Sequence, residues 1–128
     1  MKDSAITRHF FSGFIRLHIL HHAAKEAIYG VEIAEELNRH GYRLSPGTLY
    51  PTLHSLQQAG YLRCTDEVIA GRRRKYYRAT PAGRKLLSEA RRKLQELVAE
   101  VLDDQDHEFQ KIKQKQRGVK PSRGRNKS

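Results

Sequence analysis

Apolar residues near the start of the chain fall at Ile6, Phe10, Phe14, Leu17 and Leu20, close to a helical repeat. They predict an amphipathic helix over residues 4 to about 23. Ala23 to Ala27 would continue it on propensity, but Tyr29-Gly30 reads as a break. Val31, Ile33, Ala34 and Leu37 predict a second, shorter helix that stops near His40-Gly41, with glycine at the C′ position. A third helix is signalled by Ser45 as N-cap, Pro46 in the first turn, the stripe Leu49, Leu53, Leu56, and Gly60 as terminator. Pro51 interrupts that pattern, because it lacks the amide that would bond the Gly47 carbonyl and its ring crowds that group. Glycine at that earlier position eases the conflict, since its backbone adjusts freely.

Alternation then replaces the helical repeat. Tyr61 to Thr65 and Lys75 to Ala79 read as strands, and Asp66 to Arg74, which contains Gly71, reads as a loop between them. The result is a β-hairpin with a long basic tip. Thr80-Pro81 repeats the cap-then-proline start. Leu87, Ala90, Leu94, Leu97 and Val101, widened by Leu86, Val98 and Leu102, predict a long last helix. Running to about residue 110, it is roughly 45 Å long. The part of the chain before it is too short to cover such a helix, so its apolar stripe needs a second chain. Leu87, Ala90, Leu94, Leu97, Val98 and Val101 are the expected homodimer contacts on it.

Three helices, a hairpin and a long helix, in that order, make the expected fold mainly α with a small β-hairpin: a winged helix-turn-helix followed by a C-terminal dimerisation helix. The expected divisions are residues 1 to 79 for the winged domain, 80 to 110 for the dimerisation helix, and 111 to 128 for a disordered basic tail.

Charge sharpens this picture locally more than globally. The 128 residues carry a net charge of +11, but residues 111 to 128 hold eight Lys or Arg and no acid, leaving +3 for residues 1 to 110. The cluster Arg72-Arg73-Arg74-Lys75 is more informative than the total, because four cations side by side cannot be core and suit a polyanion. There is no apolar run long enough to span a membrane and no signal-peptide pattern in Met1 to Phe11, so a cytoplasmic setting is expected. The single cysteine, Cys64, excludes an internal disulfide or a cysteine-based zinc site.

At about 100° per residue, the side of the third helix opposite its leucines holds Gly47, Pro51, His54, Ser55 and Gln58, with Thr48 at one edge and Tyr50 and Gln57 at the other. Neutral hydrogen-bonding groups of this kind can read base edges or bond phosphates in a major groove. The wing cations can pair with phosphates, or one Arg can enter a minor groove.

The runs Tyr29-Gly30-Val31-Glu32-Ile33, Leu44-Ser45-Pro46-Gly47-Thr48-Leu49-Tyr50-Pro51, Gly60-Tyr61-Leu62, Gly71-Arg72-Arg73-Arg74-Lys75-Tyr76-Tyr77 and Thr80-Pro81-Ala82-Gly83 resemble the PadR family of transcriptional regulators over roughly residues 12 to 102. The resemblance implies a dimeric winged-helix repressor of the short form that binds pseudo-palindromic, double-stranded operator DNA. It implies that the last helix pairs across the dimer with the first helix against it, which adds Phe10 and Phe14 to the contact set. Carried over by position, Ser45, Thr48, Tyr50 and Pro51, together with His54 on the same face, meet the operator. Arg72, Arg73, Arg74 and Lys75 form the wing, and Tyr76 and Tyr77 brace it. Some relatives bind small aromatic ligands, so a small-molecule effector is allowed for. The basic tail departs from the family pattern.

His18, His21 and His22 have helical spacing that would let His18 pair with either neighbour as metal ligands, but no carboxylate or cysteine nearby completes a set unless a dimer mate contributes ligands. They are expected to be exposed or to face a partner. Cys64 is expected to be a packing residue. No catalytic motif is present, and neither cofactor nor metal is expected. A second reading of function is a winged-helix protein-interaction module whose tail binds nucleic acid without sequence preference.

Overall fold

The computed structural model describes residues 5 to 117. In chain order it contains α1 (Ala5–Lys25), β1 (Ile28–Tyr29), α2 (Gly30–Arg39), α3 (Pro46–Gln58), β2 (Leu62–Ile69), β3 (Arg72–Ala79) and α4 (Pro81–Arg117). All four expected helices are present, and the fold is a winged helix-turn-helix with a C-terminal helix. Gly41 and Gly60 close α2 and α3 at φ of 89° and 88°, the left-handed conformation in which a side chain would be strained. Ser45 holds the N-cap position of α3, but its hydroxyl makes no bond to a backbone N–H. It is turned instead to the Thr48 hydroxyl, 3.4 Å away. Helix α3 continues through Pro51.

The sheet differs from the expected hairpin in two ways. It has three strands, in the order β1-β3-β2, because Ile28 and Tyr29 pair antiparallel with Tyr77 and Tyr76. A two-residue strand is too short to show alternation, so the sequence pattern gave no sign of it. The expected loop from Asp66 to Arg74 is also mostly strand: β2 and β3 stay paired from Leu62↔Ala79 out to Ile69↔Arg72. The chain reverses at Ala70-Gly71, both with positive φ (55° and 77°), the geometry that matches strand twist in a tight hairpin. The basic residues therefore lie on an ordered strand beside a tight turn.

The chain divides into two compact units, Met1–Ala90 and Arg91–Ser128. In the first, Ile19, Leu20, Ala23, Ile33, Leu37, Leu49, Leu53, Leu56, Leu62, Tyr77 and Leu87 form the centre of one apolar cluster. The predicted stripe on α1 splits. Leu20 is buried, while Ile6, Phe10 and Phe14 remain 79%, 70% and 38% exposed. Leu87 is only 3% exposed and belongs to this core. Its side chain is thus covered by the chain's own core, because the start of α4 is itself part of the domain. Ala90 is half-buried. In the second unit every side chain from Arg91 to Asp104 is exposed, including Leu94, Leu97, Val98 and Val101. Helix α4 extends past the expected residue 110 to Arg117, so the first part of the expected tail is helical, and residues 118 to 128 lie outside the described residues.

The start of α4 is fastened to the start of β2. The Thr80 hydroxyl donates to the Gly60 carbonyl (2.6 Å) and accepts from the Gly83 amide (3.0 Å), so one side chain caps the helix and ties it to the end of α3. The Thr80 amide bonds the Tyr61 carbonyl at 3.1 Å. Gly83 lies directly against that same carbonyl, leaving no room for a Cβ. Gly13 in α1 is the opposite case, with nothing near its missing side chain. Gly83→Ala should therefore destabilise by about 1–3 kcal/mol, since backbone cannot give way. Gly13→Ala should stabilise by about 0.5–1 kcal/mol through helix propensity. Thermal melts of the two variants should shift in opposite directions, and equal shifts would contradict the close packing at Gly83.

Candidate nucleic-acid interface

Helix α3 separates its two sides cleanly. Leu49, Leu53, Leu56 and Thr52 are buried, and Thr52 satisfies its hydroxyl by donating to the Thr48 carbonyl at 2.8 Å. Ser45, Thr48, Pro51, His54, Ser55 and Gln58 are exposed. His54 and Gln58 approach through their side-chain nitrogens at 3.4 Å, a contact between neighbours one turn apart. Tyr50 is 45% exposed, but its ring lies against Gly30, at the start of α2, where a Cβ would fall 2.5 Å from the hydroxyl. Of the expected helix residues, Tyr50 is thus the one that also holds the helix-turn-helix together.

The wing divides its cations by environment. Arg74 is half-buried, and its guanidinium stands 4.1 Å from the centre of the Tyr29 ring, a cation–π contact. Tyr29 in turn meets Tyr76 edge-on at 5.5 Å, and its amide donates to Glu32 at 3.2 Å, which completes the first turn of α2. Lys75 faces Asp66 across the hairpin at 3.6 Å, an exposed pair of little energetic weight. Arg78 donates to Glu67 at 2.7 Å and to Thr65 at 3.2 Å, and that bond holds the Glu67 carboxyl below the usual carboxylate range. Arg72 and Arg73 are exposed and, among the described residues, make no side-chain ion pair or hydrogen bond. They flank the turn beside Ile69 and Val68, which are 49% and 62% exposed.

Four adjacent cations therefore have three different situations. Tyr76 and Tyr77 are 7% and 6% exposed and anchor the strand that carries them. Burial, with Cys64 alongside, pushes the Tyr77 phenol up to about 12, so it stays neutral. Cys64 packs half-buried against the core. The importance of Tyr29 could not be read from the sequence, since its partners Arg74 and Tyr76 are more than forty residues away.

Residues 19–89 match the transcriptional regulator PadR-like family. A curated relative, Transcriptional regulator Rv3488 of Mycobacterium tuberculosis (strain ATCC 25618 / H37Rv), is 56% identical over 100 residues, covering 78% of this chain and 94% of that protein. Among solved structures, a PadR-like transcriptional regulator (BC4206) from Bacillus cereus strain ATCC 14579 superimposes with a TM-score of 0.70 at 29% identity, over 74% of this chain and 94% of the other. The structure of smu.1704 from Streptococcus mutans UA159 gives a TM-score of 0.62 at 33% identity, over 66% and 79%. An exposed polar helix face, an arginine-bearing hairpin and a C-terminal helix occur here in a chain whose sequence and fold both match that family: this protein belongs to the PadR-like transcriptional regulators.

Proposed function

We propose that the protein is a cytoplasmic repressor that binds a pseudo-palindromic operator as a homodimer, with α3 in the major groove and the hairpin on the adjoining backbone. The observation that carries this reading is the pair Arg72 and Arg73: two exposed guanidiniums that make no side-chain ion pair or hydrogen bond among the described residues, held on an ordered strand in a chain that also presents an open polar helix face. Guanidiniums so placed suit phosphates or a minor groove. Ser45, Thr48, Tyr50, Pro51 and His54 are the proposed contacts from α3. Arg74 and Lys75 are the further proposed wing contacts, Arg74 beside the Tyr29 ring and Lys75 in an exposed pair with Asp66.

Leu94, Leu97, Val98 and Val101 repeat at coiled-coil spacing and are between 36% and 53% exposed, and Phe10 and Phe14 on α1 are also uncovered. A second copy of the chain is the occupant that suits these surfaces, because a contiguous apolar stripe is costly to leave in water. For a small-molecule effector, a cavity of about 370 Å³ lies within the first unit, lined by Leu17, Leu20, Leu56, Tyr61, Leu86 and Ala90 among others. Its size suits a small apolar ligand.

The second reading draws on the eight cations after residue 110 and holds that they bind nucleic acid without preference. Fluorescence anisotropy at fixed salt, with duplexes from the gene's own upstream region and scrambled controls, separates the two. A regulator should prefer one dyad-containing duplex by about 10³-fold, and should keep that preference when residues 111 to 128 are removed. Equal affinity for all duplexes, lost with those residues, would favour the second reading.

Replacing Arg72 and Arg73 together by alanine should weaken all duplexes alike and lower the salt slope by about two. Thr48→Val or His54→Ala should instead change the ranking among sequences. If the arginine pair leaves affinity untouched, the wing does not touch DNA. In sedimentation experiments Leu97→Glu with Val101→Glu should yield a monomer with weakened operator binding, and a persistent dimer would place the interface elsewhere.

A further inference from the structure

Helices α1 and α2 bring together four ligand-type side chains that DNA binding does not use. His18 and His22 lie one turn apart on α1, and Glu36 and His40 one turn apart at the end of α2. Residues at that spacing share a face, and two histidines so placed are a chelating pair. The two pairs face each other. The Nε2 atoms of His22 and His40 are 3.7 Å and 3.8 Å from the same oxygen, Oε2 of Glu36. The His18 ring is stacked 4.7 Å from His40 and 6.3 Å from His22, centre to centre. Glu36, which the sequence did not place near these histidines, is distant in sequence and adjacent in space.

Glu36 is ion-paired with His22, Arg39 and His40, the two imidazoles at the long end of the range. At 3.7 Å and 3.8 Å neither imidazole is within hydrogen-bond reach of the carboxylate. Arg39 donates to the other oxygen, Oε1, at 3.1 Å, so Oε2 is the one aimed at the two ring nitrogens. In a tetrahedral site with bonds of about 2.0–2.1 Å, neighbouring donor atoms are about 3.3–3.4 Å apart. Each of the two imidazole nitrogens therefore stands a few tenths of an ångström farther from the Glu36 oxygen than neighbouring donors around an ion do.

We propose that His22, His40 and Glu36, joined by His18, bind a divalent transition-metal ion of the zinc type. Among the described residues no three donors already form a metal-holding group, so binding requires the His18 ring to turn out of its stack and the side chains of His22, Glu36 and His40 to draw together. Three imidazoles and a carboxylate suit zinc, cobalt or nickel, and not magnesium or calcium, which take oxygen ligands. The side chains of His22, Glu36 and His40 are 26%, 30% and 48% exposed, leaving an entry path. His21 meets His22 edge-on and Tyr42 meets His18, so both flank the site without being required as ligands. A bound ion would cross-link α1 to the first helix of the helix-turn-helix.

The test is titration of the full-length chain with zinc against a chromogenic chelator, and with cobalt(II) followed by its visible absorption. The wild type should bind one equivalent per protomer, with a tetrahedral cobalt spectrum. Glu36→Gln, a near-isosteric change, and His40→Ala should each weaken binding by about tenfold or more, whereas His9→Ala, elsewhere on α1, should not. Circular dichroism confirms that the variants remain folded. Absence of zinc binding by the wild type, or binding unchanged in both Glu36→Gln and His40→Ala, would overturn the proposal. Because metal binding is read without DNA, the result is independent of the repressor reading.

Discussion

The pairing of β3 with both of its neighbours is the constraint on which the rest of the first unit depends. Its inner end supplies Tyr76, Tyr77 and Ala79 to the interior, and its outer end carries Arg72 and Arg73 into solvent. A strand can serve both ends only if its register is held, because a slip of one residue exchanges its faces. Pairing with β2 along eight residues and with β1 at Ile28 and Tyr29 supplies that restraint. β1 also leads directly into α2, so the element that completes the sheet starts the helix-turn-helix.

Tyr29 is where these demands meet. Its backbone pairs with Tyr76, its amide is bonded by Glu32, and its ring receives Arg74. The wing is therefore braced against the first helix of the helix-turn-helix by an aromatic contact that holds one cation close, while Arg72 and Arg73 at the turn make no side-chain ion pair or hydrogen bond among the described residues. A run of four like charges can be tolerated here because a π-face and one acid moderate two of them. The same division applies to α4: its first turns, latched by Thr80 and packed through Leu87, complete the core, and from Arg91 to Asp104 the side chains are exposed.

Much of this was legible in the sequence. Helices reveal themselves by local signals, so the N-cap position of Ser45, the glycine stops at Gly41 and Gly60, and the Leu49-Leu53-Leu56 stripe located α2 and α3 to within a residue or two. The hairpin was recognised, but its length was not, since Asp66 to Arg74 lacks the apolar alternation of a half-buried strand. Its pairing comes instead from cross-strand contacts and from the tight turn at Ala70-Gly71. Leu87 had the same spacing as the exposed residues beyond it, and periodicity cannot tell a stripe facing its own core from one facing another chain.

The sequence by itself determined the winged-helix order, the polar side of α3 and the position of the charge block, because each rests on neighbours within a turn or two of chain. Tertiary structure alone decided which cations stay free, that a two-residue strand joins the sheet, and that Glu36 and His40 stand opposite His18 and His22. Those outcomes depend on atoms brought together from distant segments, and a linear pattern carries no distance between them until the core has folded.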